Sequence, residues 1–309
     1  MLTTFAANTE TRLAASDDLR HWIATGDVRV LNGRRIFTRV AETANRPPLL
    51  LIHGYPTSSH DWHAVWDALA ERHSLYTLDL LGFGGSEKPR RAPYTIAEQA
   101  DLCQALLAQH GVGRVHVLAH DYGDTVAQEL LARAREGKIA LDSVMFLNGG
   151  LFPETHRARP IQKLLAKPLL GPLLARRMRY EHLVAAMQTL WGRTSPLEQD
   201  LRDMWWQIDH DGGRIALARL INYMAQRRRY RERWVGALVA SAVPRALICG
   251  AVDPVSGAHL AVRYRELVPA PDVTLLEDVG HYPQLEAPQR VLDAYAAFRA
   301  RLPARNVAV

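Results

Sequence analysis

The chain has only two cysteines in 309 residues, Cys103 and Cys249, too few for a disulfide framework. Cys249 lies inside the apolar run RALICGA, where a buried thiol is expected and redox chemistry is not. No run of about eighteen apolar residues occurs, the length a membrane-spanning helix needs. The N-terminus lacks the succession of charged, apolar and small residues that marks a secretory signal. A soluble, cytoplasmic protein is therefore expected, with no membrane partner. Neither an internal repeat nor a low-complexity segment is present. The glycine-rich GFGGS (Gly82 to Ser86) has neither G-x-G-x-x-G spacing nor a P-loop lysine, so it reads as a turn after a strand. No HExxH or cysteine-rich spacing accompanies His53, His60 and His63. Neither metal nor cofactor is expected, and Asp79 in TLDLLG reads as a capping or turn residue.

What is present is an ordinary globular composition, 48% hydrophobic and 23% charged, enough for one large core that carries an insertion. The net charge of +6 is local. Between Leu151 and Ala240 there are sixteen Lys/Arg against eight Asp/Glu, and the remainder is slightly acidic. The densest stretch, QRRRYRER (Gln226 to Arg233), reads as a solvated helix face and not as a phosphate-binding patch. A nucleic-acid partner is not expected.

Short apolar runs ending at Gly54, Gly82, Asp121 and Gly150 alternate with amphipathic stretches such as TIAEQADLCQALLAQHG. That stretch has a threonine at the N-cap position and a glycine past its end. Strand and helix in alternation predict a parallel sheet. Upstream, Asn32-Gly33 between two alternating runs predicts a hairpin that adds antiparallel strands at one edge. The rhythm stops after Gly150 and resumes at PRALICG. The interval has helical periodicity, aromatic residues and breakers at Pro160, Pro168, Pro172, Pro196 and Gly212-Gly213. The expected organisation is a tail and short helix over 1–26, a core over 27–150 and 241–309, and a helical cap, or lid, over 151–240.

In such a sheet, ligands bind beyond the carboxyl ends of the strands. Four features fall there: His53-Gly54-Tyr55-Pro56, Asp121 in LAHDYGDTVAQ, Asp253 after ALICGAV and His281 after TLLEDVG. Ala119-His120-Asp121-Tyr122-Gly123 has the form of a nucleophile elbow with a carboxylate in the serine position. Nucleophile, acid, histidine is the chain order of the α/β-hydrolase triad.

On these residues, together with HGYPTSSHDW, LDLLGFGGSEKP and VGHYPQLEAPQ, the chain resembles the α/β-hydrolases of the epoxide hydrolase and haloalkane dehalogenase branch, over about residues 27 to 300. NGGLFPETHR and RERWVGAL are most similar to the mesoderm-specific transcript protein family. The resemblance implies an α/β fold with a mostly parallel twisted sheet, helices on both faces and an inserted helical lid. It also implies a cofactor-free hydrolase with Asp121 as nucleophile, His281 as base and Asp253 orienting it. Backbone N–H groups of Tyr55 and Tyr122 would form the oxyanion hole. A carboxylate, ionised near pH 7 because its ordinary pKa is about 3.9, suits attack on saturated carbon bearing a strained or good leaving group.

Tyrosine, not tryptophan, follows the nucleophile, and Tyr55 stands where haloalkane dehalogenases commonly have asparagine. The expected electrophile is therefore an epoxide, opened to a vicinal diol, on a small apolar substrate. Dehalogenation is the alternative, and a catalytically silent binding protein the second. Lid tyrosines protonate the leaving oxygen in epoxide hydrolases. Tyr180 and Tyr223 are the candidates, with Met224 competing for the latter's position. Trp62 is a candidate for substrate contact. Asp124, where a small residue is expected, has a first-turn cap as its only account. The oligomeric state is not legible.

Overall fold

The computed structural model describes residues 14–302; the expected tail up to residue 13 lies outside them. The chain opens with α1 (Asp17–Ala24), β1 (Asp27–Leu31), β2 (Arg34–Ala41) and β3 (Pro48–Ile52). After a 3-10 turn (Ser59–Trp62) come α2 (His63–Ala70), β4 (Ser74–Leu78), α3 (Ile96–Gln109), β5 (Arg114–His120), α4 (Tyr122–Arg135) and β6 (Ala140–Leu147). Seven helices then precede the next strand: α5 (Pro160–Leu165), α6 (Leu170–Arg176), α7 (Tyr180–Gln188), α8 (Glu198–Asp209), α9 (Gly213–Leu220), α10 (Tyr223–Arg229) and α11 (Arg231–Ala240). The described residues end with β7 (Arg245–Gly250), α12 (Ala258–Leu267), β8 (Asp272–Leu276), α13 (Pro283–Glu286) and α14 (Pro288–Arg301).

Eight strands form one sheet in the order β1-β2-β4-β3-β5-β6-β7-β8. The hairpin expected at Asn32-Gly33 is there, with Leu31 facing Arg34 and positive φ at both turn residues, the geometry of a two-residue turn. It supplies the antiparallel edge, and from β4 onward every pairing is parallel. Side chains of β3 alternate between the two faces. Leu50 and Ile52 enter the larger core with α3 and α4, while Leu49 and Leu51 enter the smaller one with α2 and α14. The expected cap of α3 forms, with Thr95 Oγ1 accepting from Glu98 N at 3.1 Å. Both cysteines are free and buried, and burial pushes each thiol up to about 12. Among the described residues, no helix is long and apolar enough to cross a membrane.

Candidate active site

The turn from β5 into α4 is too tight for ordinary backbone. Asp121 sits at φ 47° and ψ −102°, a strained conformation of the kind that clusters at functional sites. Two residues on, α4 approaches β3 closely. A Cβ on Gly123 would lie 2.4 Å from the Ile52 carbonyl oxygen and 2.7 Å from that of His53. Asp121 is 3% exposed, and its Oδ2 accepts a hydrogen bond from Tyr55 N at 3.1 Å. Tyr55 belongs to the loop after β3. That loop is held by His53, whose Nδ1 donates to Gly54 O (2.8 Å) and whose Nε2 accepts from Leu80 N (2.9 Å). Tyr122 is the first residue of α4, where a backbone N–H has no partner within the helix.

The loops after β7 and β8 bring a second pair together. His281 Nδ1 lies 2.7 Å from Asp253 Oδ2. The same oxygen accepts from Asn148 Nδ2 at 3.0 Å, and Asp253 Oδ1 accepts from Val255 N at 2.7 Å. Desolvation opposes both charges. Even so, the carboxylate raises the His281 imidazole to about 9, with Asp121 and Glu286 adding to the effect, and the Asp253 carboxyl is held below its ordinary value. Histidine therefore carries its proton at neutral pH while Asp121 is free. The His281 loop is fixed by Glu286, whose carboxylate accepts from Gly192 N, Gly280 N and Tyr282 N at 2.7, 2.8 and 2.9 Å. His120 Nε2 donates to the His281 carbonyl at 2.8 Å.

Helix α10 closes the site. The fully buried Tyr223 packs its ring 5.7 Å from that of Tyr55 and 5.3 Å from that of Tyr122, and Gln162 Nε2 reaches its hydroxyl at 3.4 Å. Burial, with the Asp121 charge adding, pushes this phenol well above its ordinary range, so it keeps its proton. One turn further on, the Arg227 guanidinium lies 4.4 Å from the Tyr223 ring centroid. Its Nη2 donates to the Asp121 carbonyl at 3.0 Å and lies 3.8 Å from Asp121 Oδ1, and its Nε donates to Thr125 Oγ1 at 2.7 Å.

Residues 47–288 match the family described as alpha/beta hydrolase fold. The chain belongs to that family. It is 41% identical over 295 residues to the mesoderm-specific transcript homolog protein of Bos taurus, covering 92% of this chain and 88% of that one. It is 36% identical to LipZ of Mycobacterium tuberculosis, covering 90% and 97%. Among solved structures, the epoxide hydrolase CorEH superposes with a TM-score of 0.75 at 22% identity, covering 90% and 99%. The haloalkane dehalogenase DatA of Agrobacterium tumefaciens superposes with 0.77 at 20%, covering 90% and 96%. At these identities the two structures establish the fold alone.

Against this alpha/beta hydrolase framework, the sequence-predicted residues separate. Asp121, His281, Asp253, Tyr55, Tyr122 and Tyr223 come together. Tyr180 does not join them: its hydroxyl donates to Glu198 Oε1 at the surface at 3.3 Å, and its ring packs on Trp205. Trp62 is fully buried in the smaller core with an unpartnered indole N–H. Two readings need correction. Asp124 is not a cap but a buried group, its Oδ1 facing Leu147 N at 3.4 Å and its Oδ2 unpartnered. Burial raises its carboxyl well above the usual range, and its contact with Leu147 ties α4 to the end of β6. The basic run is a solvated face only in part: Arg228 and Arg229 are exposed, as expected, but the others are engaged. Arg227 is 2% exposed, Arg231 pairs with Glu154, and Arg233 with Glu129 and Glu136. Asp79 takes its expected turn role, accepting from Ser59 N and Gly85 N.

Sequence reasoning missed Asn148, His120, Arg227 and His156. The last is a lid-loop histidine whose ring lies 6.5 Å from that of Tyr223. The available signal for Arg227 was its spacing of four from Tyr223, which puts both on one helix face.

Proposed function

We propose that this alpha/beta hydrolase is a cofactor-free enzyme that forms an aspartyl ester at Asp121 and opens epoxides to vicinal diols. The observation that carries the reading is the pairing of a held carboxylate with a buried, protonated phenol. Tyr55 N–H engages Asp121 Oδ2 at 3.1 Å, and the Tyr223 ring packs on both Tyr55 and Tyr122. In the first step an Asp121 oxygen attacks an epoxide carbon, the carbon–oxygen bond of the ring breaks, and the departing oxygen takes the Tyr223 proton. Esterification removes the Asp121 charge, one of the influences that keep His281 protonated. The imidazole pKa then falls, its proton passes through solvent to the Tyr223 phenolate, and the neutral His281 is competent as a base. It takes a proton from water, whose oxygen attacks the Asp121 acyl carbon. The resulting oxyanion is held by backbone N–H groups of Tyr55 and Tyr122; its collapse expels the substrate oxygen, which takes the proton from His281 as the diol leaves, and the regenerated Asp121 carboxyl then returns a proton to His281.

Dehalogenation, in which Asp121 would displace a halide from saturated carbon in the same first step, is the alternative reading. The readings separate in one experiment. His281→Gln protein is incubated with styrene oxide or with 1-bromobutane, and the Asp121 peptide is weighed by mass spectrometry. The epoxide reading expects a stable adduct from styrene oxide alone, with diol released by the wild type. Labelling by the bromide with halide release supports dehalogenation. No labelling by either overturns the covalent mechanism and leaves a binding role.

A further inference from the structure

The guanidinium of Arg227 is only half used. Nε and Nη2 are committed to Thr125 and Asp121, whereas Nη1 is shielded from solvent and has no partner. Beside it stands His156, with both ring nitrogens equally shielded and unpartnered. The two meet at one spot: a Cβ on Gly150 would lie 2.2 Å from Arg227 Nη1 and 3.2 Å from His156 Nδ1. Glycine at this position lets the guanidinium and the imidazole close on the backbone, where even a methyl group would collide with Nη1. Buried donors are ordinarily satisfied, and an unpaired guanidinium N–H is a charge-assisted donor to a carboxylate oxygen.

We propose that Arg227 Nη1 and His156 form a subsite for a carboxylate carried by the substrate, next to the carbon that Asp121 attacks. The inference rests on the reading of Asp121 as nucleophile and sharpens the expected substrate from an apolar epoxide to an apolar body bearing one acidic group. Charge balance supports it. In the resting site Asp121 faces Arg227 and Asp253 faces His281. When Asp121 becomes an ester, Arg227 loses its counter-ion in a buried setting. A substrate carboxylate restores the balance in the intermediate, so its binding strengthens as the reaction proceeds.

The test separates binding from chemistry. Isobutyrate and isobutyramide have the same shape and differ in charge, and their affinities at pH 7.5 are measured by calorimetry. The wild type is expected to bind the acid at least about tenfold tighter than the amide, in keeping with a charge-assisted contact. Arg227→Met abolishes that preference and Arg227→Lys retains part of it. Gly150→Ala, which keeps every charge but forces Arg227 Nη1 out of its place, also abolishes it and serves if Arg227→Met does not fold. Equal affinities in the wild type, or a preference that survives both Arg227→Met and Gly150→Ala, overturn the subsite. Glycidate and glycidamide are then offered to His281→Gln protein. Arg227-dependent acid binding without an Asp121 adduct leaves the subsite and sinks the epoxide reading. Equal labelling by both, with no acid preference, does the reverse.

Discussion

A buried imidazole that carries a proton makes folding stability depend on pH, and here the sign and size can be worked out. His281 is raised from 6.5 to about 9 in the folded protein. Between these values the folded state holds a proton that the unfolded chain has lost, so stability falls as pH rises. The full contribution is present below about pH 6.5 and is gone above about pH 9. A difference of about 2.5 in pKa, at about 1.36 kcal/mol each, corresponds to about 3 kcal/mol. Replacing His281 alone is a poor reference, because it strands the Asp253 carboxylate in a buried position and alters that group's own titration. The suitable reference is the double variant His281→Gln with Asp253→Asn, in which neither position titrates. Urea unfolding of both proteins from pH 6 to pH 10, with the free energies subtracted, cancels groups outside the pair. The stability of the wild type relative to the variant should drop by about 3 kcal/mol over this range. A flat difference would show that His281 is neutral at rest. The sequence in which esterification of Asp121 first frees the base would then lose its reason.

Tyr223→Phe removes the phenol proton while keeping the ring packing, so turnover of an epoxide should fall by about 10²- to 10⁴-fold with little change in melting temperature. Near-wild-type turnover would remove Tyr223 as the acid. Gly123→Ala places a Cβ 2.4 Å from a backbone carbonyl oxygen and should cost about 1–3 kcal/mol or more, together with loss of Asp121 labelling. Unchanged unfolding would contradict the close approach of α4 to β3. Asp124→Asn keeps the shape of a group whose charged form is disfavoured by burial when folded. Because that carboxyl is raised, the wild type loses stability as pH climbs above about 4. The variant should match it near pH 4 and surpass it increasingly toward pH 8, as read from urea midpoints. Thr95→Ala removes the cap of α3 and should cost about 1 kcal/mol with no effect on catalysis, a control for changes remote from the site.

How far the sequence could be read depended on what set each residue's surroundings. Strands β3 to β8 announce themselves because a parallel sheet buried on both faces must be written in apolar runs. Asp121, Asp253 and His281 follow because their positions are fixed by strand ends. Lid residues have no such anchor. Tyr180 and Tyr223 are both tyrosines in helical surroundings, and only the packing of α10 on Tyr55 and Tyr122 distinguishes them. Arg227 stood in a run of three arginines, and nothing local says which one turns inward. Asp124 misled because an aspartate in a first turn usually caps; its burial is imposed by β6 and the following turn, far away in sequence.

Arg227 also answers a difficulty raised by the choice of nucleophile. A carboxylate 3% exposed pays for its desolvation unless something offsets the charge, and a close, fully engaged guanidinium would offset it by blocking its lone pairs. The structure separates the two demands. Arg227 makes its short contact to the carbonyl oxygen of Asp121 and stays 3.8 Å from Oδ1, while Tyr55 N–H takes Oδ2. The field of the cation is felt, yet Oδ1 remains without a short hydrogen bond from Arg227. On the proposed mechanism Oδ1 would be the attacking oxygen and Oδ2 would become the acyl oxygen, already lying on the donor that would stabilise it when water attacks. One arrangement thus serves both half-reactions without a change of partner at Tyr55.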